Sequence, residues 1–105
     1  MTAMNPTESF VALVIYPTRP DAQAGQMEKL IRLSAERVRT LPGFRGGRIL
    51  VSEDGATLVT ITEWRDREAF EQFRDSEVGR NAIRFAAELH PKAYWLHQQA
   101  VVEAP

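Results

Sequence analysis

The sequence predicts an α+β fold of the ferredoxin-like kind, β-α-β-β-α-β, with a four-stranded antiparallel sheet and helices on one face. Three observations predict it. Four segments rich in β-branched and aromatic residues are separated by segments with helical periodicity. The middle two strands are joined across Asp54-Gly55, a step that supplies the positive backbone angles of a tight hairpin. Both helical segments fall between strands, where a crossover is needed. With 105 residues, 44% of them hydrophobic, the chain has material for one core and not for two. A single domain over 1–105 is expected, packed over about 9–102, with a loose polar tail at 1–8.

The first strand is the apolar run Phe10 to Tyr16, closed by Pro17 and Pro20. A helix is expected from Asp21, as its cap, to about Leu41, with Met27, Leu30, Ile31, Ser34, Ala35, Val38 and Leu41 at three- and four-residue steps. Arg37 and Arg39 suit its negative end, and Leu41-Pro42-Gly43 stops it, with Gly43 available for a left-handed backbone. The second strand spans Phe44 to Ser52, where Gly46-Gly47 suggests a bulge or the close approach of another backbone. After the Glu53-Asp54-Gly55 turn comes a third strand, Ala56 to Trp64. Asp66 stands where a cap belongs, Glu68 in the first turn, and Phe70 and Phe73 on one face of a helix to Arg74. A restart capped by Ser76 carries the chain through Ala82, Ile83, Phe85, Ala86 and Leu89 to Pro91. The last strand is expected over Ala93 to Val102. Phe10–Ile15 and Leu58–Ile61 offer apolar side chains to both sheet faces, so a homodimer through the open face is expected.

Composition narrows the functional classes. The formal net charge is −1, and the basic residues are scattered, which argues against nucleic acid or an anionic membrane as the main partner. No apolar run reaches membrane-spanning length. Met1 to Pro6 lacks a basic stretch followed by an apolar one, so no secretion signal and a cytoplasmic location are expected. The absence of cysteine excludes disulfides, thiolate zinc sites and cysteine nucleophiles. His90 and His97 lack a close carboxylate partner in sequence, so no metal site is predicted. Ser9, Ser34, Ser52 and Ser76 have no nucleophile-elbow context, and there is no phosphate loop or dinucleotide fingerprint.

Leu41-Pro42-Gly43-Phe44, the Asp54-Gly55 hairpin, the strand ending in Glu63-Trp64 and the helix start Arg67-Glu68-Ala69-Phe70-Glu71-Gln72-Phe73 lie in an informative order and spacing. Together they resemble the antibiotic biosynthesis monooxygenase domain, over Ser9 to Val102. The resemblance implies a dimeric α+β barrel with two sheets face to face, often with a C-terminal strand reaching the neighbour, and a pocket between helices and sheet in each protomer. It also implies, for some members, oxidation of aromatic substrates by molecular oxygen with no cofactor.

Carried over residue by residue, the resemblance places Trp64 at the aromatic corner. Thr60 stands where quinone-forming members have an Asn, Phe70 stands where they have a Tyr, and Arg84 matches an Arg. The haem-degrading pattern would place its Asn on Val14, its Trp on Phe73 and its ligating His on Ile83, which offers no imidazole.

Candidate roles follow, each beside a plainer one. Trp64 can wall a pocket and donate its indole N–H, or fill the core beneath the second helix. Thr60 can hydrogen-bond an enolate, or simply be a strand former like Thr62. Arg84 can stabilise negative charge, or lie on a solvated helix face. His97 is the best general base by its ordinary pKa, or is a strand or interface histidine. Phe70 and Phe73 can line a substrate pocket, or be core. The leading expectation is a cofactor-independent monooxygenase acting on a small aromatic, anthrone or quinol-type substrate. The alternatives are a non-catalytic dimeric ligand-binding module and a polyketide isomerase or cyclase on the same barrel.

Overall fold

A computed structural model describes residues 9–32 and 36–105. The elements are β1 (Phe10–Pro17), α1 (Gln23–Leu30), α2 (Glu36–Val38), β2 (Phe44–Val51), β3 (Thr57–Trp64), α3 (Arg67–Asp75), α4 (Glu77–Ala87) and β4 (Lys92–His97). The sheet runs β2-β3-β1-β4 with every neighbouring pair antiparallel. This is the ferredoxin-like α+β arrangement that the sequence predicts.

Register decides what faces the helices, because side chains alternate along a strand. Phe10, Ala12, Val14 and Tyr16 of β1 pair with Trp64, Thr62, Thr60 and Leu58 of β3. On the other side of β1, Phe10, Ala12 and Val14 pair with His97, Trp95 and Ala93 of β4. Phe10, Ala12, Tyr16, Leu58 and Trp64 from this set are buried. The opposite face carries Leu13, Ile15, Val59 and Ile61, all half-buried, and the exposed Leu50, Tyr94 and Leu96.

Two helix starts follow the sequence closely. The Asp66 carboxylate accepts the Ala69 N–H at 2.8 Å, and the Ser76 hydroxyl accepts the Gly79 N–H at 3.1 Å. The Ala69 N–H, and after it the Arg65 guanidinium, hold the Asp66 carboxyl below the usual aspartate value. Gly43 and Gly55 take positive φ angles of 80° and 76°, as the two tight turns require. The bulge on β2 falls between Phe44 and Gly46.

Two expectations need correction. The first helix is not continuous from Asp21: α1 starts after Ala22, with no side-chain cap, and Asp21 pairs with Arg19 at 3.2 Å. The helix widens into a π-type turn at 31–32 before α2. Gly25 lowers the helix propensity, and Leu30 and Val38 are the buried residues of α1 and α2. Ser34 and Ala35, and the tail at 1–8, lie outside the described residues. The last strand stops at His97, well short of Val102, because β1 begins opposite it at Phe10. The Gln98 N–H donates to the Ser9 carbonyl at 3.1 Å beyond that pair.

The core has two parts. One cluster joins Phe10, Ala12, Val38, Trp64, Ala69 and Phe70, with Leu41, Phe44 and Phe73 packed against it. The other joins Tyr16, Leu30, Leu58 and Ala86, with Val14, Met27, Ile49, Phe85 and Leu89 against it.

Candidate functional site

A cavity of about 920 Å³ lies over the helix-facing side of the sheet and takes its walls from both core clusters. That volume is in the range of small-molecule sites, roughly 300–1,000 Å³. Ala12, Val14 and Tyr16 of β1, Thr60 and Thr62 of β3, and Ala93 and Trp95 of β4 form the sheet wall. Phe70 and Phe73 of α3 and Ala82, Ile83 and Ala86 of α4 close over it, with Arg74 and His90 also on the lining. Among the described residues that line it, none is Asp or Glu. Nor do any three His, Asp or Glu side chains gather as a metal site among the described residues.

The polar groups on the sheet wall include the hydroxyls of Tyr16, Thr60 and Thr62 beside the indole of Trp95. Tyr16 is 5% exposed, and its phenol meets the Thr60 side chain. Burial pushes the Tyr16 phenol up from its ordinary value, and the Thr60 hydrogen bond pulls it part of the way back, so the phenol keeps its proton at neutral pH. The Thr62 hydroxyl accepts the Trp64 indole N–H at 2.9 Å.

The structure brings Thr60, Phe70 and Phe73 together on the cavity wall. Trp64 stands one layer behind it, 0% exposed and absent from the lining. It stacks on Phe73 with centroids 5.1 Å apart and meets Phe44 edge-on at 5.2 Å. Its N–H is already engaged by Thr62, so the geometry here matches the core-filling alternative and not a donor aimed into the cavity. Arg84 is exposed, bonds to Asn81 Oδ1 at 3.3 Å and does not line the cavity. His97 is exposed at the end of β4, edge-on to Phe10 at 5.9 Å, and also lies off the lining.

The sequence reading passed over Tyr16, Trp95 and His90 as cavity residues. The signal for the first two was the two-residue period: Tyr16 shares its face with Ala12 and Val14, and Trp95 shares its face with Ala93. His90 enters through a backbone feature, a left-handed φ of 54° just after α4.

The family profile described as antibiotic biosynthesis monooxygenase matches residues 10–84. Among curated proteins no relative matches. A solved structure from Mycobacterium tuberculosis is similar at 24% identity and TM-score 0.75, over 92% of this chain and 99% of that one. A monooxygenase of Streptomyces coelicolor, solved with the ligand nanaomycin D, is similar at 24% identity and TM-score 0.68, over 92% of this chain and 93% of that one. A major regulator of staphylococcal pathogenesis is similar at 20% identity and TM-score 0.74, over 93% of this chain and 61% of that one.

Proposed function

Because the chain belongs to the antibiotic biosynthesis monooxygenase family, we propose that it is a cofactor-independent monooxygenase that oxidises a small anthrone- or quinol-type aromatic with molecular oxygen. The observation that carries the reading is the cavity of about 920 Å³, aromatic on its helix side and hydroxyl-bearing on its sheet side.

For an anthrone the chemistry balances without an added reductant. A base removes one proton from the acidic CH₂ carbon, and the resulting enolate gives electrons to O₂ and forms a C–O bond. Loss of water from the peroxide then leaves a carbonyl, so one oxygen atom enters the product and the other departs as water. The protein's share is to seat the rings, hydrogen-bond the enolate oxygen and keep bulk water away. In this reading Phe70, Phe73 and Trp95 seat the rings, and the hydroxyls of the sheet wall face the oxygen. Trp64 supports that wall from behind. His90, as an imidazole on the lining, takes the base role expected of His97, and Arg74 supplies the positive charge expected of Arg84.

A homodimer through the open sheet face is part of the proposal. Leu50, Tyr94 and Leu96, 45%, 47% and 41% exposed, form an apolar surface suited to a second copy of the same sheet. Sedimentation at micromolar concentration tests it.

The activity test is oxygen uptake with a panel of anthrones and quinols, with the quinone product followed by absorbance. No uptake above buffer across the panel sinks the reading. A second reading, a non-catalytic small-ligand module, is favoured by the lack of any carboxylate base among the described lining residues. Saturable quenching of tryptophan emission without turnover supports it.

A further inference from the structure

The hydroxyls of the cavity are not equivalent. Tyr16 sits opposite Leu58 and Val14 opposite Thr60, so Tyr16 and Thr60 are diagonal neighbours across the β1–β3 ladder. Their side chains meet, and both residues border the cavity. A phenol has one proton to give and an oxygen that accepts. When the Thr60 O–H turns toward the Tyr16 oxygen, the phenolic proton is left to point elsewhere, and the neighbouring dipole polarises it. Thr62 already accepts from Trp64 at 2.9 Å, and its aliphatic O–H is a poorer donor than a phenol. Tyr16 is only 5% exposed and lies in mostly hydrocarbon surroundings, where a hydrogen bond to an incoming acceptor is stronger than in water.

We infer that Tyr16 is the hydrogen-bond donor that fixes an oxygen atom of the bound ligand, with Thr60 as the positioning residue that orients and polarises it. The ligand class is a planar, largely apolar ring system carrying a carbonyl or phenolate oxygen toward β1. The inference rests on the reading of the cavity as a small-molecule site, and it holds whether or not that molecule is oxygenated. Burial keeps the phenol protonated at neutral pH, as a donor must be.

The test uses two tricyclic probes of nearly equal shape, 9-fluorenone with a carbonyl and fluorene without one. Binding to the intact protein is followed by tryptophan emission and by the fluorenone C=O stretch. The bound carbonyl is expected to vibrate below its frequency in alkane solution. Tyr16→Phe abolishes that shift and weakens fluorenone by roughly 3- to 10-fold, the value of one neutral hydrogen bond, while fluorene stays within about 2-fold. Thr60→Val, which leaves Tyr16 in place, reduces the shift without abolishing it.

A wild-type carbonyl at its alkane frequency overturns the inference and needs no variant. So does equal weakening of both probes by Tyr16→Phe, or a shift that survives Tyr16→Phe and vanishes in Thr62→Val. If neither probe binds, the small-molecule reading falls with it. If fluorenone shows the shift and no anthrone or quinol is turned over, only the oxygenase reading falls.

Discussion

Replacing Trp64 by Phe separates a wall residue from one that stands behind the wall. Trp64 is 0% exposed and packs on Phe44, Phe70 and Phe73, with its indole N–H donated to Thr62 at 2.9 Å. Phenylalanine keeps one ring and loses the other along with the donor. The lost hydrogen bond costs about 1 kcal/mol. The lost apolar contact and the space left behind cost about 1–2 kcal/mol more, because the neighbouring rings relax only in part. The total is about 2–3 kcal/mol, or a fall in Tm of roughly 10–20 °C for a domain of this size. Urea unfolding followed by circular dichroism measures it, and Trp95 remains as the fluorescent reporter on the cavity. A variant within about 0.5 kcal/mol of wild type would refute the buried-core assignment. So would full stability combined with lost ligand binding, which would return Trp64 to the site.

Three further outcomes are expected. A Cβ added to Gly79 would collide with the Phe73 carbonyl oxygen and sit 2.9 Å from the Arg74 Cα, so Gly79→Ala must open the α3–α4 corner. It should cost about 3 kcal/mol or more by denaturant unfolding, and a neutral result would mean that the corner is loose. In an absorbance titration at 295 nm, the Tyr16 phenol should ionise above the ordinary value of about 10. Its folded pKa lies above its unfolded one and its neutral form is uncharged, so stability falls as pH rises past the unfolded value; Tyr16→Phe should flatten that alkaline arm. Asp66 has the opposite sign: its folded pKa is depressed, so its contribution is present above the unfolded value and is lost as pH falls through the folded one. Asp66→Ala should lower Tm at neutral pH and lower it less as the pH falls into the acid range, and equal losses across that range would sink the capping account.

Much of the fold could be read from local signals, because those signals act locally. The Asp66 and Ser76 caps need only the backbone three residues onward, and the Asp54-Gly55 turn needs only its own dihedral angles. The site depends on relations that short windows do not contain. Tyr16 and Thr60 are 44 residues apart in the chain and meet through strand register. Trp64 shares a strand face with Thr60 and Thr62, yet α3 and its phenylalanines cover it, and that covering is tertiary. On α4 the phase decides: Ile83 and Ala86 reach the cavity, while Arg84, a third of a turn away, points to solvent. The length of β4 was also hidden, since a strand ends where its partner does.

The division of the core into two clusters ties occupancy to folding. Each cluster packs its own end of the sheet, and the cavity borders both. A molecule seated there acts as a keystone between two half-cores, and its binding energy enters the unfolding equilibrium directly. At a hundred times its dissociation constant such a molecule adds about 2.7 kcal/mol to the stability of the chain. Resistance to heat then becomes a selective readout of ligand identity: a library screened by melting temperature alone would rank the compounds that fit between Phe70 and Tyr16 without any knowledge of the reaction.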